Sequence, residues 1–174
     1  MGSRIDGFVA HVASFRDIHV YDIRPLPKTP HKNITFVQKD LMSPNTHPQT
    51  DSLSCLHALE HFGMGRYGEP VHIDGHIKAL KNIISLLQDN ATFYLSVPIC
   101  AYDTVYFNAQ RVFHPLSLLN MPIVKNHLKL KRFDYVDRQG HLHLNMNVNH
   151  VTDRITHSKK PRKNRLGIYT FHKR

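Results

Sequence analysis

Along the 174-residue chain, apolar positions switch repeatedly between a helical spacing and the two-residue alternation of strands. Ile5, Phe8, Val9 and Val12 predict an amphipathic helix over 5–15, and His19 to Ile23 a short strand over 18–23. Pro25, Pro27 and Pro30 then exclude regular helix until a strand at 33–37, and a polar, proline-marked loop follows at 43–50. A strand at 51–56 leads into a short helical turn at Leu59–Phe62 and a loop containing Gly63, Gly65, Gly68 and Pro70. Ile77, Leu80, Ile84 and Leu87 mark the clearest helix, over 75–88, with Asp74 as its expected N-cap. Beyond it the pattern predicts a strand over 91–97 stopped by Pro98, a short helix at 115–120, a strand at 128–136 and a terminal strand at 167–171. The interval 137–165 reads as polar and irregular, with an extra short strand at 141–146.

Helices and strands that alternate in this way predict an α/β domain built on a mostly parallel sheet. The length suits one domain, 1–174, with its own core. No apolar run reaches the eighteen residues of a bilayer span, and no basic segment followed by an apolar one stands at the N-terminus, so a cytoplasmic protein is expected. Cys55 and Cys100 both fall in apolar, strand-like runs and are expected to be buried thiols.

The net charge of +10 raises nucleic-acid binding. Much of the excess crowds into Lys159, Lys160, Arg162, Lys163 and Arg165, where no aromatic residue interleaves as a stacking platform. That reading is therefore disfavoured, and oligomeric state is not legible.

The candidate chemistry sits where strands end. Gly2-Ser3-Arg4-Ile5-Asp6-Gly7 opens a helix, and Asp22 closes the next strand about twenty residues on. A glycine turn, a helix, a strand and an acid is the order that holds a nucleotide and clasps its ribose. The strand that should precede the glycines is absent from the pattern. Its absence predicts either two inner strand edges left open or a direct pairing of the strands that flank it, and an upstream start of the native product is the preferred explanation. His57-Ala58-Leu59-Glu60-His61 also fits the H-x-x-E-H pattern of a zinc hydrolase, but the expected strand ending and the glycines after it disfavour the necessary long helix. A nicotinamide site is disfavoured because the glycine pattern is incomplete. His141 and His143, two apart, are expected to pair at the surface rather than hold a metal.

The order resembles a class I S-adenosylmethionine-dependent methyltransferase, a Rossmann-like three-layer sandwich with an antiparallel C-terminal strand. More narrowly, the chain resembles the bacterial family catalogued as domain of unknown function 268. That resemblance is carried by residues 2–9, Asp22-Ile23-Arg24-Pro25, residues 51–61, Gly65-Arg66-Tyr67-Gly68, residues 107–111 and Gly167-Ile168-Tyr169-Thr170-Phe171. It implies a cofactor site in which Gly2 and Ser3 approach the methionine portion, Asp22 with Ile23 takes the ribose, and Asp40 with Leu41 meets the adenine. It implies His57, Glu60 and His61 as candidate bases at the mouth, and Arg66, Tyr67, Asn108 and Arg111 as contacts to a small-molecule or glycan acceptor. The competing expectation is a binding or scaffold module of the same fold that no longer holds the cofactor.

Overall fold

The computed structural model describes residues 5–27, 29–44, 47–160 and 163–174. Helix α1 (Gly7–Ala13) is shorter than its apolar pattern, because Asp6 caps it through Val9 N and Ser14 closes it. It packs Val9 and Ala13 on β1 (Ile18–Asp22), whose Val20 joins Ile34 in a small core of its own. Strand β1 pairs in parallel with β2 (Ile34–Gln38).

Strand β3 (Thr50–Leu56) belongs to a different ladder and pairs in parallel with β4 (Leu87–Ile99). Among the described residues no main-chain ladder joins β1 to β3, so of the two arrangements expected without a first strand, open edges prevail over direct pairing. The larger sheet continues from β4 to the antiparallel β9 (Arg165–Lys173), β7 (Leu128–Val136) and β8 (Leu142–His143).

One face of this sheet holds the main core. Cys55, Leu95, Tyr169 and Phe133 lie in register across four strands, and Leu53, Phe93 and Phe171 form the next row. Helix α2 (Gly75–Ser85) adds Ala79, Leu80 and Ile83, with Leu118 of α3 (Pro115–Asn120), Val124 of α4 (Pro122–His127) and Ile155 of α5 (Val148–Thr156) completing the cluster. Fully burying one such side chain stabilises by roughly 1.5–3 kcal/mol, so these rows supply most of the driving force. Both cysteines are buried and free, and burial pushes the Cys55 thiol up to about 11.

Several expectations need correction. Strand β4 does not stop at Pro98: Pro98 pairs opposite Leu166, and its carbonyl accepts from Phe113 N. The left-handed Asn90 (φ +62°) falls within the strand instead of ending the chain's run before it. Asp74 precedes α2 but makes no side-chain cap bond, its carboxylate lying 3.6 Å from Lys78 Nζ. Four elements went unread in the sequence: α4, α5 and the two strands of a hairpin, β5 (Thr104–Tyr106) and β6 (Gln110–Val112).

Candidate functional site

Three parallel strands end at one place. Asp22 is the last residue of β1, Asp40 stands just beyond β2, and His57 follows β3. Ligands of open α/β sheets bind outside such carboxyl ends. A cleft there is lined by Asp22, Ile23, Asp40 and Leu41 on one side and by His57, Ala58, His61 and Tyr67 on the other. Its walls therefore come from both sheets.

On the first wall Asp22 is almost fully buried, and its carboxylate is already engaged. Oδ1 accepts from Arg24 N and Arg24 Nε, each at 2.9 Å, and Oδ2 accepts from Arg24 Nη2 at 2.8 Å. Burial pushes this carboxyl up, but the Arg24 hydrogen bonds and charge outweigh it and hold it below its ordinary value. The same guanidinium lies 4.7 Å over the Tyr67 ring, which comes from the opposite wall. Asp40 spends Oδ1 on Met42 N at 2.8 Å, the turn-forming role of a short acid, while Leu41 is buried behind it.

On the second wall the chain leaves β3 through His57, whose φ of +52° is rare for a residue with a side chain. Its amide donates to Ser96 O at 3.0 Å, fixing that conformation against β4. The short 3-10 turn Leu59–His61 then places Glu60 wholly inside. His57 Nδ1 lies 2.9 Å from Glu60 Oε1, and His61 Nε2 lies 3.9 Å from the same oxygen. A buried carboxylate requires partners, so this network assigns the proton to His57 Nδ1 and leaves Nε2 as the accepting nitrogen. The hydrogen bond to Glu60 raises the His57 pKa against the opposing effect of burial. Glu60 Oε2 is buried with no hydrogen-bond partner among the described residues. His61 holds Ala109 O through Nδ1 at 2.8 Å.

The expected acceptor residues divide. Tyr67 lines the cleft and is partly exposed, whereas Arg66 is exposed outside the lining, its Nη1 reaching Ala109 O at 3.3 Å. Asn108 sits at the turn of the β5–β6 hairpin with φ +48°, exposed and outside the cleft lining. Arg111 is buried and donates to Phe62 O, His72 O and Ile73 O. Its guanidinium holds the 62–73 loop, and Arg111 is not among the residues that line the cleft. Gly2 and Ser3 lie outside the described residues. The candidate site read from the sequence left out Arg24, which pairs with Asp22, and Glu69, which is buried and accepts from Tyr67 N at 2.8 Å. Arg24, two residues after an acid at a strand end, was the available signal.

His141 and His143 do share a partner: Asp137 Oδ2 lies 2.8 Å from His143 Nε2 and 3.5 Å from His141 Nδ1. Among the described residues no group of three or more His, Cys, Asp or Glu is placed to hold a metal.

The cleft fits an adenosine-bearing ligand on one condition. Buried Leu41 and Ala58 with Ile23 and Phe62 supply apolar walls, and Asp22 and Asp40 supply acceptors at strand ends. The condition is that Arg24 leaves at least one Asp22 oxygen.

A family model described as "Caenorhabditis protein of unknown function, DUF268" matches residues 34–160, well over half of the chain, and the chain belongs to that family. The description names Caenorhabditis, where a bacterial family was expected. No curated protein sequence matches the chain. Solved structures do. N-methyltransferase NodS from Bradyrhizobium japonicum WM9, in complex with S-adenosyl-L-homocysteine, aligns over 96% of this chain and 72% of its own at a TM-score of 0.60 and 11% identity. The [4+2]-cyclase SpnF aligns over 95% and 70% with a TM-score of 0.63 and 11% identity. The 1,6-didemethyltoxoflavin-N1-methyltransferase of Burkholderia thailandensis, with bound 1,6-didemethyltoxoflavin and S-adenosylhomocysteine, covers 95% and 65% at 0.58 and 14%. At such identities the likeness shows the fold: α/β, Rossmann-like, of the class I methyltransferase type.

Proposed function

We propose, from membership of that family on this fold, that the chain is an S-adenosylmethionine-dependent methyltransferase whose acceptor is deprotonated at His57. The observation that carries the reading is convergence: Asp22, Ile23, Asp40 and Leu41 meet His57 and His61 around one cleft at the carboxyl ends of three strands. Two of the similar structures hold S-adenosylhomocysteine, which supports the choice of cofactor.

When bound, the cofactor supplies an already activated methyl group, so the protein's work is alignment and proton removal. Asp22 and Asp40 would hold the ribose and adenine ends, with Leu41 and Ile23 against the ring. His57 Nε2 would take the acceptor's proton, and Glu60 Oε1 would stabilise the imidazolium that results through the 2.9 Å contact to Nδ1. Arg66 and Tyr67 would place an anionic or sugar-like acceptor at the mouth.

A second reading has its own observation. Arg24 occupies both oxygens of Asp22, as expected of a module that has given up the ribose contact. SpnF, a cyclase, also warns that this fold alone does not fix methyl transfer. Calorimetric titration of S-adenosylmethionine and S-adenosylhomocysteine separates the two. Binding that is lost in Asp22→Asn supports the enzyme, while absence of binding by the folded chain supports the module.

A further inference from the structure

The β5–β6 hairpin and the loop before α2 expose large apolar side chains. Phe107 at the hairpin turn is 97% exposed, Ile73 91%, Val71 76% and Val105 63%. Soluble surfaces carry isolated apolar residues commonly, but a group of this kind beside a site marks an interaction surface. These residues form such a group. Val105 pairs opposite Arg111 across the hairpin, and the Arg111 guanidinium reaches His72 O and Ile73 O, which draws the 71–73 loop against the hairpin. Neither segment is loosely held: Ala109 N donates to Tyr106 O within the hairpin turn, and His72 N donates to Gly63 O.

The hairpin touches residues of the site without lining the cleft. His61 and Arg66 both contact Ala109 O, so the apolar tips stand beside the mouth of the cleft on the side opposite Asp22. Exposed Tyr102 and Tyr106 precede Phe107 in the chain, amphipathic rings of the type that favour a headgroup layer. Two narrow tips offer far less than the roughly 800 Å² per partner of a standard protein interface. A few bulky side chains on a strongly basic chain are, by contrast, what shallow insertion into an anionic leaflet requires. The net charge is +10, and Arg66 reaches Ala109 O of the hairpin, while Lys78 beyond the second tip is paired with Asp74.

We propose that Phe107, Val105, Val71 and Ile73 seat this chain on an anionic lipid surface with the cleft mouth at the headgroups. The acceptor would then be a headgroup of a membrane amphiphile, a statement that rests on the methyltransferase reading, whereas the docking itself does not. Among the described residues no helix is long and apolar enough to cross a membrane, so the attachment is peripheral.

The test is co-sedimentation of the whole chain with phosphatidylcholine vesicles, with and without phosphatidylserine. The expected result is binding to the phosphatidylserine vesicles that falls about tenfold in the double variant Phe107→Ser, Ile73→Ser, with an unchanged melting temperature. No sedimentation of the parent chain overturns the docking. Equal sedimentation of parent and variant also overturns it, leaving only non-specific charge attraction. Concentration-dependent self-association by light scattering, abolished by the same variant, overturns it in favour of a contact between copies. S-adenosylmethionine titration of the variant without vesicles keeps the two readings apart: vesicle binding without cofactor binding retains the docking and removes the methyltransferase.

Discussion

Arg24 closes on Asp22 as a two-pronged clasp, Nε to Oδ1 at 2.9 Å and Nη2 to Oδ2 at 2.8 Å, while the outer face of its guanidinium rests on Tyr67 from the other wall of the cleft. The carboxylate best placed to take a ribose is thus held by the protein's own cation. If this clasp competes with ligand, Arg24→Gln binds S-adenosylhomocysteine about tenfold more tightly than the parent chain. Calorimetry reads the change directly. Weaker binding in the variant would mean that Arg24 contacts the ligand itself and that the competition does not exist.

The His57–Glu60 contact predicts a titration. The raised pKa of His57 means its bond to Glu60 contributes stability that is fully present below the unfolded value, about 6.5, and is lost as pH rises through the higher folded midpoint. NMR of the ring protons should place the midpoint above about 6.5. Glu60→Gln should lower it, since the hydrogen-bonded negative charge is its principal cause. Any proton removal by His57 would follow the same midpoint, rising in rate as pH passes it. An unmoved midpoint in the Gln variant would separate the two residues.

Arg111 is expected to be structural. Replacing it by Met strands three backbone carbonyls, and losses of this kind typically cost about 3 kcal/mol. For a chain of this size that is a fall of roughly 10 °C in melting temperature. Affinity for S-adenosylhomocysteine, measured well below the new midpoint, should be little changed. A large loss of affinity at unchanged stability would return Arg111 to the binding residues.

Gly75 and Gly68 make a contrasting pair. Alanine at helix position Gly75 gains up to about 1 kcal/mol in propensity. Its Cβ, however, would stand 2.6 Å from Gly63 Cα and 2.8 Å from Phe62 O, backbone atoms that cannot step aside cheaply. The clash outweighs the gain, and Gly75→Ala should destabilise by about 2 kcal/mol net. Gly68 has φ +88° with nothing within 4 Å of a new Cβ, so its alanine variant should lose only the backbone strain, about 1 kcal/mol. Thermal melts rank the two.

How far the sequence could be read depended on whether a feature was local. The strand at Leu128–Val136 and the helix at Pro115–Asn120 follow from apolar spacing, and the structure has both with those bounds. Residues 148–156 carried a helix signal in Val148, Val151 and Ile155 behind the capping side chain of Asn147, but the polar residues between them concealed it. The hairpin at 104–112 has only three residues per strand and no Gly-containing turn, which leaves little alternation to detect. In the site, strand-end positions were legible for Asp22, Asp40 and His57, because topology fixes where strand ends go. Arg111 was not: whether an arginine faces a ligand or a set of carbonyls is decided by loops distant in sequence, here those around Phe62 and Ile73. The pairing of Arg24 with Asp22 is local, two residues apart, yet its reach to Tyr67 required the fold.

Among the described residues the two sheets that share the cleft have no main-chain rungs between them, and described ties across the junction include Arg16–Asp51 at the exposed end and Arg24 on Tyr67 at the mouth. Solvent-exposed ion pairs are commonly worth less than about 1 kcal/mol. The cleft is therefore a joint closed by side chains, Asn82 of α2 donating to Leu41 O and Ser43 O at 2.9 Å and Met42 packing on the main core. A ligand reaching from Asp22 to His57 would be a principal rivet of that joint, so that protection of β1 and β2 against hydrogen exchange would rise with its occupancy.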